Sequence, residues 1–160
     1  QKEPRVGSGA AKNTLLAAPL EIIEANIDDL NPEIYAYVLE RLFSCGALDA
    51  YLTPIQMKKN RPAVKITVLA DPQQAKKLGD LLLQETTTLG YRRLSAEKIS
   101  LPRKRTLLET PWGKVRIKIA GTPPDYQNIS PEYADCLRIA RTKGIPLKKV
   151  YQQIWKLLRP

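Results

Sequence analysis

Residues able to bind a charged ligand fall into three groups along this sequence. Lys58-Lys59-Asn60-Arg61-Pro62 places three cations and an amide between two apolar runs. In a loop, such side chains and the backbone N–H groups can converge on phosphate oxygens, arginine as a bidentate fork and lysine as a point charge. Lys114, Arg116 and Lys118 alternate with Val115, Ile117 and Ile119, which puts three cations on one face of a strand. Arg103 and Arg105 lie just upstream, and Arg92-Arg93 further back. The third group is acidic: Asp28-Asp29 with Glu33, at the spacing of a strand-to-helix loop, offers oxygen ligands to a hard divalent ion such as magnesium or manganese. Glu132 and Asp135 form a second acidic pair beside Cys136.

Each group also has a purely structural reading. A charged hairpin discourages edge pairing, and a cationic sheet face can simply be solvated. Glu33 and Glu132 suit the positive ends of helix dipoles, Asp29 suits an Asx turn, and Cys136 suits burial. Thr86-Thr87-Thr88 reads more readily as helix-end capping than as a hydroxyl-rich site.

The elements that must carry these residues follow from periodicity. Residues 1–19 are small and without sustained period, and read as a linker from an upstream domain, with 20–160 as the folded domain. Glu21–Ile27 reads as a first strand. Asn31-Pro32-Glu33 opens a helix in which Ile34, Tyr35, Val38, Leu39 and Leu42 form the apolar side, up to Gly46. Strands near Leu48–Gln56 and Ala63–Ala70 flank the cationic loop. A second helix follows Asp71-Pro72, buried through Ala75, Leu78, Leu81 and Leu82, and a fourth strand spans Tyr91–Leu101. The order β-α-β-β-α-β predicts an α+β, ferredoxin-like sandwich with both helices on one face of an antiparallel sheet. Beyond it, Arg105–Glu109 and Trp112–Ala120 read as a hairpin, Gly121–Ile129 as a loop, Ser130–Lys143 as a third helix, and Pro146–Leu158 as a fourth.

Composition bounds the chemistry. The chain has 160 residues, 43% of them hydrophobic, enough for one compact unit with one core. No run reaches the length of a membrane helix and no signal-peptide layout opens the sequence, which predicts a cytosolic protein. It contains two widely separated cysteines and no histidine, so neither a disulfide framework nor an imidazole base is available. The net charge is +10, and its distribution is uneven: residues 1–57 hold 4 Lys/Arg against 8 Asp/Glu, 58–118 hold 15 against 5, and 119–160 hold 7 against 3. A basic block beside an acidic one points to a polyanion. Phosphate-loop, dinucleotide and nucleophile-elbow motifs are all absent.

Five segments in order, EANIDDLNPE at 24–33, PIQMKKNRPA at 54–63, ETTTLGYR at 85–92, GKVRIKIA at 113–120 and SPEYADC at 130–136, resemble the C-terminal part of the LarC family of nickel-insertion proteins. That family matures the nickel-pincer nucleotide cofactor of lactate racemase. The resemblance implies a CTP-dependent cyclometallase, inserting Ni2+ into pyridinium-3,5-bisthiocarboxylic acid mononucleotide, with CTP bound through Mg2+ or Mn2+. On that reading, the chemistry of the side chains assigns phosphate contacts to Lys58, Lys59, Asn60, Arg61, Arg103, Arg105, Lys114 and Arg116, and metal contacts to Asp28, Asp29 and Glu132. The resemblance also implies that a histidine-rich upstream domain supplies nickel, and exposed sheet edges suit a homo-oligomer. The competing readings are an RNA-binding module, which shares the strand order but lacks the aromatic platform, and a structural oligomerisation domain.

Overall fold

The computed structural model describes residues 15–121 and 128–158. The chain divides into two compact units, Ala17–Ile99 and a second from Ser100 onward, each with its own core. This corrects the expectation of a single core. A sheet apolar on one face is sealed by two helices, and the chain contains that arrangement twice.

The first unit runs β1 (Leu16–Ile27), α1 (Ile34–Ser44), β2 (Asp49–Met57), β3 (Arg61–Ala70), α2 (Ala75–Glu85) and β4 (Arg92–Ser100), in the sheet order β2-β3-β1-β4. That is the expected ferredoxin-like order. Strand alternation decides the faces. Ile23, Ala25 and Ile27 of β1 and Ile66 and Val68 of β3 join Val38, Leu42, Leu78 and Leu82 in the core, while Glu24, Asn26, Lys65 and Thr67 point to the opposite face. In register, Ile27 lies opposite Val64 and Ile23 opposite Val68.

β1 starts at Leu16, earlier than expected, so the linker read over 1–19 gives up its last residues to the strand. Its residues 1–14 lie outside those described. α1 starts at Ile34, later than the expected opening at Asn31, and Asn31 sits in the turn that leads into it, its Oδ1 accepting the Glu33 N–H at 3.1 Å. Ile34 is exposed and Tyr35, Val38 and Leu42 are the buried positions, because the sheet lies under the stripe that starts one residue later. Gly79 of α2 has a packing role: a Cβ there would lie 2.2 Å from Cζ of Tyr91, so glycine admits the ring against the helix.

The second unit comprises β5 (Arg103–Thr110), β6 (Gly113–Ala120), β7 (Asn128–Pro131), α3 (Tyr133–Lys143) and α4 (Leu147–Leu158), with sheet order β5-β6-β7. β7 overturns part of two expectations: Asn128 and Ile129 are strand rather than loop, and Ser130-Pro131 is strand rather than helix start. The rest of that expected loop, residues 122–127, lies outside the described residues. Val115 and Ile117 pack with Cys136, Ile139, Val150 and Ile154. Gly144, at φ 62°, ends α3 in the left-handed conformation. Among the described residues no helix is long and apolar enough to cross a membrane.

Leu82 is fully buried in the first core. Leu82→Ala is expected to cost about 2–5 kcal/mol, read as a lower midpoint of the first unit in urea denaturation.

Candidate functional site

The antiparallel register of β1 and β3 brings two of the sequence clusters together. With Ile27 opposite Val64, the turn leaving β1 runs alongside the residues entering β3. The Arg61 guanidinium donates from Nη1 to Asp28 Oδ2 at 3.0 Å, which ties the acidic turn to the cationic hairpin. The hairpin is tight: Met57 pairs with Arg61, and Lys58–Asn60 turn between them with Lys59 and Asn60 both near φ 60°. Gln56 Nε2 donates to Asn60 Oδ1 at 3.0 Å. The four phosphate candidates Lys58, Lys59, Asn60 and Arg61 therefore cluster at one corner of the first unit, with Asp28 among them.

Asp29 faces the other way along the same turn and accepts a hydrogen bond from the Thr87 hydroxyl. Thr86 behaves as a cap, donating to the Leu82 carbonyl at 2.6 Å, so the threonine triplet is split between structure and site. A depression of about 320 Å³ lies here, lined by Asn26, Asp28, Asp29, Thr87, Thr88 and Gly90. A neighbouring one of about 270 Å³ shares Asp28 but has mostly apolar walls, among them Pro32, Tyr35, Pro62 and Val64. Burial pushes the Tyr35 phenol pKa up, and the nearby Asp29 charge pushes it the same way.

Sequence reasoning missed a charged network on the face of the sheet opposite the helices. Lys65 Nζ donates to Glu24 at 2.7 Å, and Arg92 reaches Glu24 at 3.4 Å and Asn26 Oδ1 at 2.9 Å. The hydrogen bond from Lys65 holds the Glu24 carboxyl below its usual pKa. Alternation within EIIEANI was the signal available, since it sends Glu24 and Asn26 out beside Lys65 of the paired strand.

In the second unit the cationic stripe exists as expected, but each member has a carboxylate. Lys114 lies 3.3 Å from Glu109, Arg116 is doubly bonded to Asp135, and Lys118 is 2.7 Å from Glu132. The Asp135 contact is the most complete: Oδ2 accepts from Arg116 Nε and from its backbone N–H, each at 2.9 Å, and Oδ1 from Nη2 at 2.8 Å. Those bonds hold the Asp135 pKa down at about 2. Glu132 sits at the start of α3 with its carboxyl pKa lowered chiefly by the Lys118 ammonium 2.7 Å away, with Arg105 and Arg116 adding their charge. Arg103 and Arg105, opposite Ala120 and Lys118, share the stripe's exposed face. Burial pushes the Cys136 thiol pKa up, which fits a packed thiol.

Asp28 and Asp29 thus belong to the first unit and Glu132 to the second. Among the described residues no three His, Cys, Asp or Glu side chains gather as a metal cage. Two carboxylates on one turn suit an ion that arrives already bound to phosphates, since Mg2+ takes one or two carboxylates alongside phosphate oxygens and waters.

The comparisons with known proteins bear on this arrangement. Residues 7–151 match the family model described as nickel insertion protein. The chain belongs to that family. A putative nickel insertion protein of Syntrophobacter fumaroxidans is 44% identical over 150 residues, covering 94% of this chain and 39% of its own length. A pyridinium-3,5-bisthiocarboxylic acid mononucleotide nickel insertion protein of Acetivibrio thermocellus is 47% identical over 137 residues, covering 86% and 33%. The chain therefore spans between a third and two fifths of these nickel insertion proteins. Among solved structures, LarC2, the C-terminal domain of a cyclometallase involved in synthesis of the NPN cofactor of lactate racemase, superposes with a TM-score of 0.83 at 40% identity, over 91% of this chain and all of that one.

Asp135 contributes stability that is fully present above its ordinary pKa of 3.8 and is lost as pH falls toward about 2. Asp135→Asn is expected to lower stability at pH 7 by about 2 kcal/mol and to flatten the acid limb of a pH–stability curve measured by thermal denaturation.

Proposed function

We propose that this chain is the nucleotide-binding part of a protein that inserts nickel into pyridinium-3,5-bisthiocarboxylic acid mononucleotide, with hydrolysis of CTP. The observation that supports this best is the Arg61–Asp28 pair at 3.0 Å, which sets a phosphate-binding hairpin and a two-carboxylate turn side by side. Lys58, Lys59, Asn60 and Arg61 bind the triphosphate, and Asp28 and Asp29 face the Mg2+ or Mn2+ carried with it. Such an ion neutralises phosphate charge as it develops during cleavage. Asp28 and Asp29 would hold such an ion, and the Arg61 guanidinium beside Asp28 would offer its free N–H groups to a phosphate oxygen. Thr87 holds Asp29 in place through its hydroxyl.

Arg103, Arg105, Lys114 and Arg116 form a second cationic surface, whose positive field draws phosphorylated molecules toward the second unit. Arg116 contributes there mainly through its charge, since Nε and Nη2 are already engaged by Asp135. Glu132, within reach of Lys118, serves this surface more naturally than a metal. Nickel is cargo. With no histidine in the chain, its delivery falls to the remainder of the longer protein that the relatives represent, and assembly into a homo-oligomer brings several such sites together.

RNA binding is disfavoured by the sheet itself. A module with this strand order stacks bases on aromatics of its two central strands, and neither β1 nor β3 contains an aromatic residue.

Calorimetric titration of CTP, ATP, GTP and UTP, with and without Mn2+, tests the assignment. Manganese-dependent binding of CTP well above the other three is expected. Equal binding of all four, or none, overturns it. Asp28→Asn is expected to weaken the metal-dependent component by about tenfold, equivalent to one charge-assisted contact, with the circular dichroism spectrum unchanged.

A further inference from the structure

The β5–β6 turn and helix α4 leave a groove that the proposed CTP site does not use. Thr110 and Gly113 pair across the turn, and Gly113, at φ 106°, closes it. The Thr110 hydroxyl accepts the Trp112 N–H at 3.2 Å and donates to the Gly113 carbonyl at 2.6 Å, so the Trp112 backbone is fixed and its half-buried indole rests against the second core. Gly144 then turns the chain, with the Ile145 N–H bonded to the Ala140 carbonyl at 3.0 Å. Between these parts lies a depression of about 450 Å³ lined by Trp112, Ile145, Lys149, Gln152, Gln153 and Lys156.

Its charge differs from that of the β6 stripe. Residues 136–158 contain six Lys/Arg and no Asp/Glu, and among the described residues neither Lys149 nor Lys156 has a carboxylate partner. Two helical turns separate these lysines, about 10 Å along the axis, with both glutamine amides between them. Uncompensated ammonium groups, amides and an indole face in one groove match a ligand that is anionic at its ends and flat in its middle.

We propose that this groove is the subsite for the pyridinium mononucleotide substrate. The ligand's identity rests on the function proposed above, and the site itself rests on the groove's own residues. A pyridinium ring carries positive charge, for which the face of tryptophan is the best of the aromatic surfaces. Its acid substituents and its phosphate then reach the two lysines, and Gln152 and Gln153 donate to their oxygens. The geometry divides the two ligands: the triphosphate goes to the corner of the first unit, and the aromatic acid goes to α4.

Nicotinic acid mononucleotide, a pyridinium carboxylate with one phosphate, is the probe. Titrated into the chain, it is expected to quench tryptophan fluorescence saturably. Lys149→Gln and Lys156→Gln should each weaken binding about fivefold, and Trp112→Leu about tenfold with loss of most of the quench. Lys148→Gln, outside the groove lining, should bind as the unchanged chain does. Nicotinamide mononucleotide, which lacks the ring carboxylate, should bind about fivefold more weakly. CTP titration of the same samples serves as the fold control and separates the two ideas. Intact CTP binding with no binding of the mononucleotide, or mononucleotide binding indifferent to both lysine changes, overturns the groove assignment. Binding of the mononucleotide through these residues by a chain that ignores CTP upholds the groove and overturns the CTP site.

Discussion

Period-two alternation along the strands governs nearly everything in this chain. Once Val115 and Ile117 are committed to the second core, Lys114, Arg116 and Lys118 must stand in line on the other face, about 7 Å apart. Left alone they would repel. The fold answers with carboxylates from three places: Glu109 across the hairpin, Glu132 at the junction of β7 and α3, and Asp135 in the first helical turn. Asp135 does more than balance charge. Its oxygen also takes the Arg116 backbone N–H, while the Glu132 N–H bonds to the Arg116 carbonyl at 2.8 Å, so the helix start completes the strand's hydrogen bonding where β7 has ended. The same alternation in β1 turns Glu24 and Asn26 away from the core and supplies acceptors to Lys65 and Arg92.

Net charge is therefore a poor guide to where an anion binds. The positions richest in cations are also those where packing gathers counter-charges. Cations with no carboxylate partner among the described residues include Lys58 and Lys59 at the tip of the β2–β3 hairpin and Lys149 and Lys156 along α4. Each of the two compact units has a small core and a cationic region of its own.

Most of the first unit was legible in the sequence because its signals are local. Asn31-Pro32, the tail of Leu78, Leu81 and Leu82, and the hairpin between two apolar runs each report on neighbours a few residues away, and the ferredoxin-like order followed from them. Ile34 misled because a stripe one residue out of phase satisfies the same spacing. β7 was illegible because Ser130-Pro131-Glu132 is written as a helix start, and only pairing with β6 draws it into a strand. The acidic turn and the cationic loop were each visible as candidates, yet their contact depends on β1–β3 register, which spans more than thirty residues of chain. Asp135 was seen as half of an acidic pair, and nothing local named Arg116 as its partner. Two cores in place of one reflect a similar limit, since hydrophobic content says how much is buried but not into how many places.

The hairpin's backbone carries a cost of its own. Lys59 and Asn60 both sit in the left-handed region, which asparagine visits readily and lysine does not. Glycine at residue 59 would relax that conformation and release about 1 kcal/mol. The turn instead keeps a lysine where the backbone would prefer no side chain, so this corner gives up some thermal robustness to carry a positive charge at its tip. A variant library selected only for heat resistance should drift toward glycine there and, in doing so, remove a positive charge from the corner.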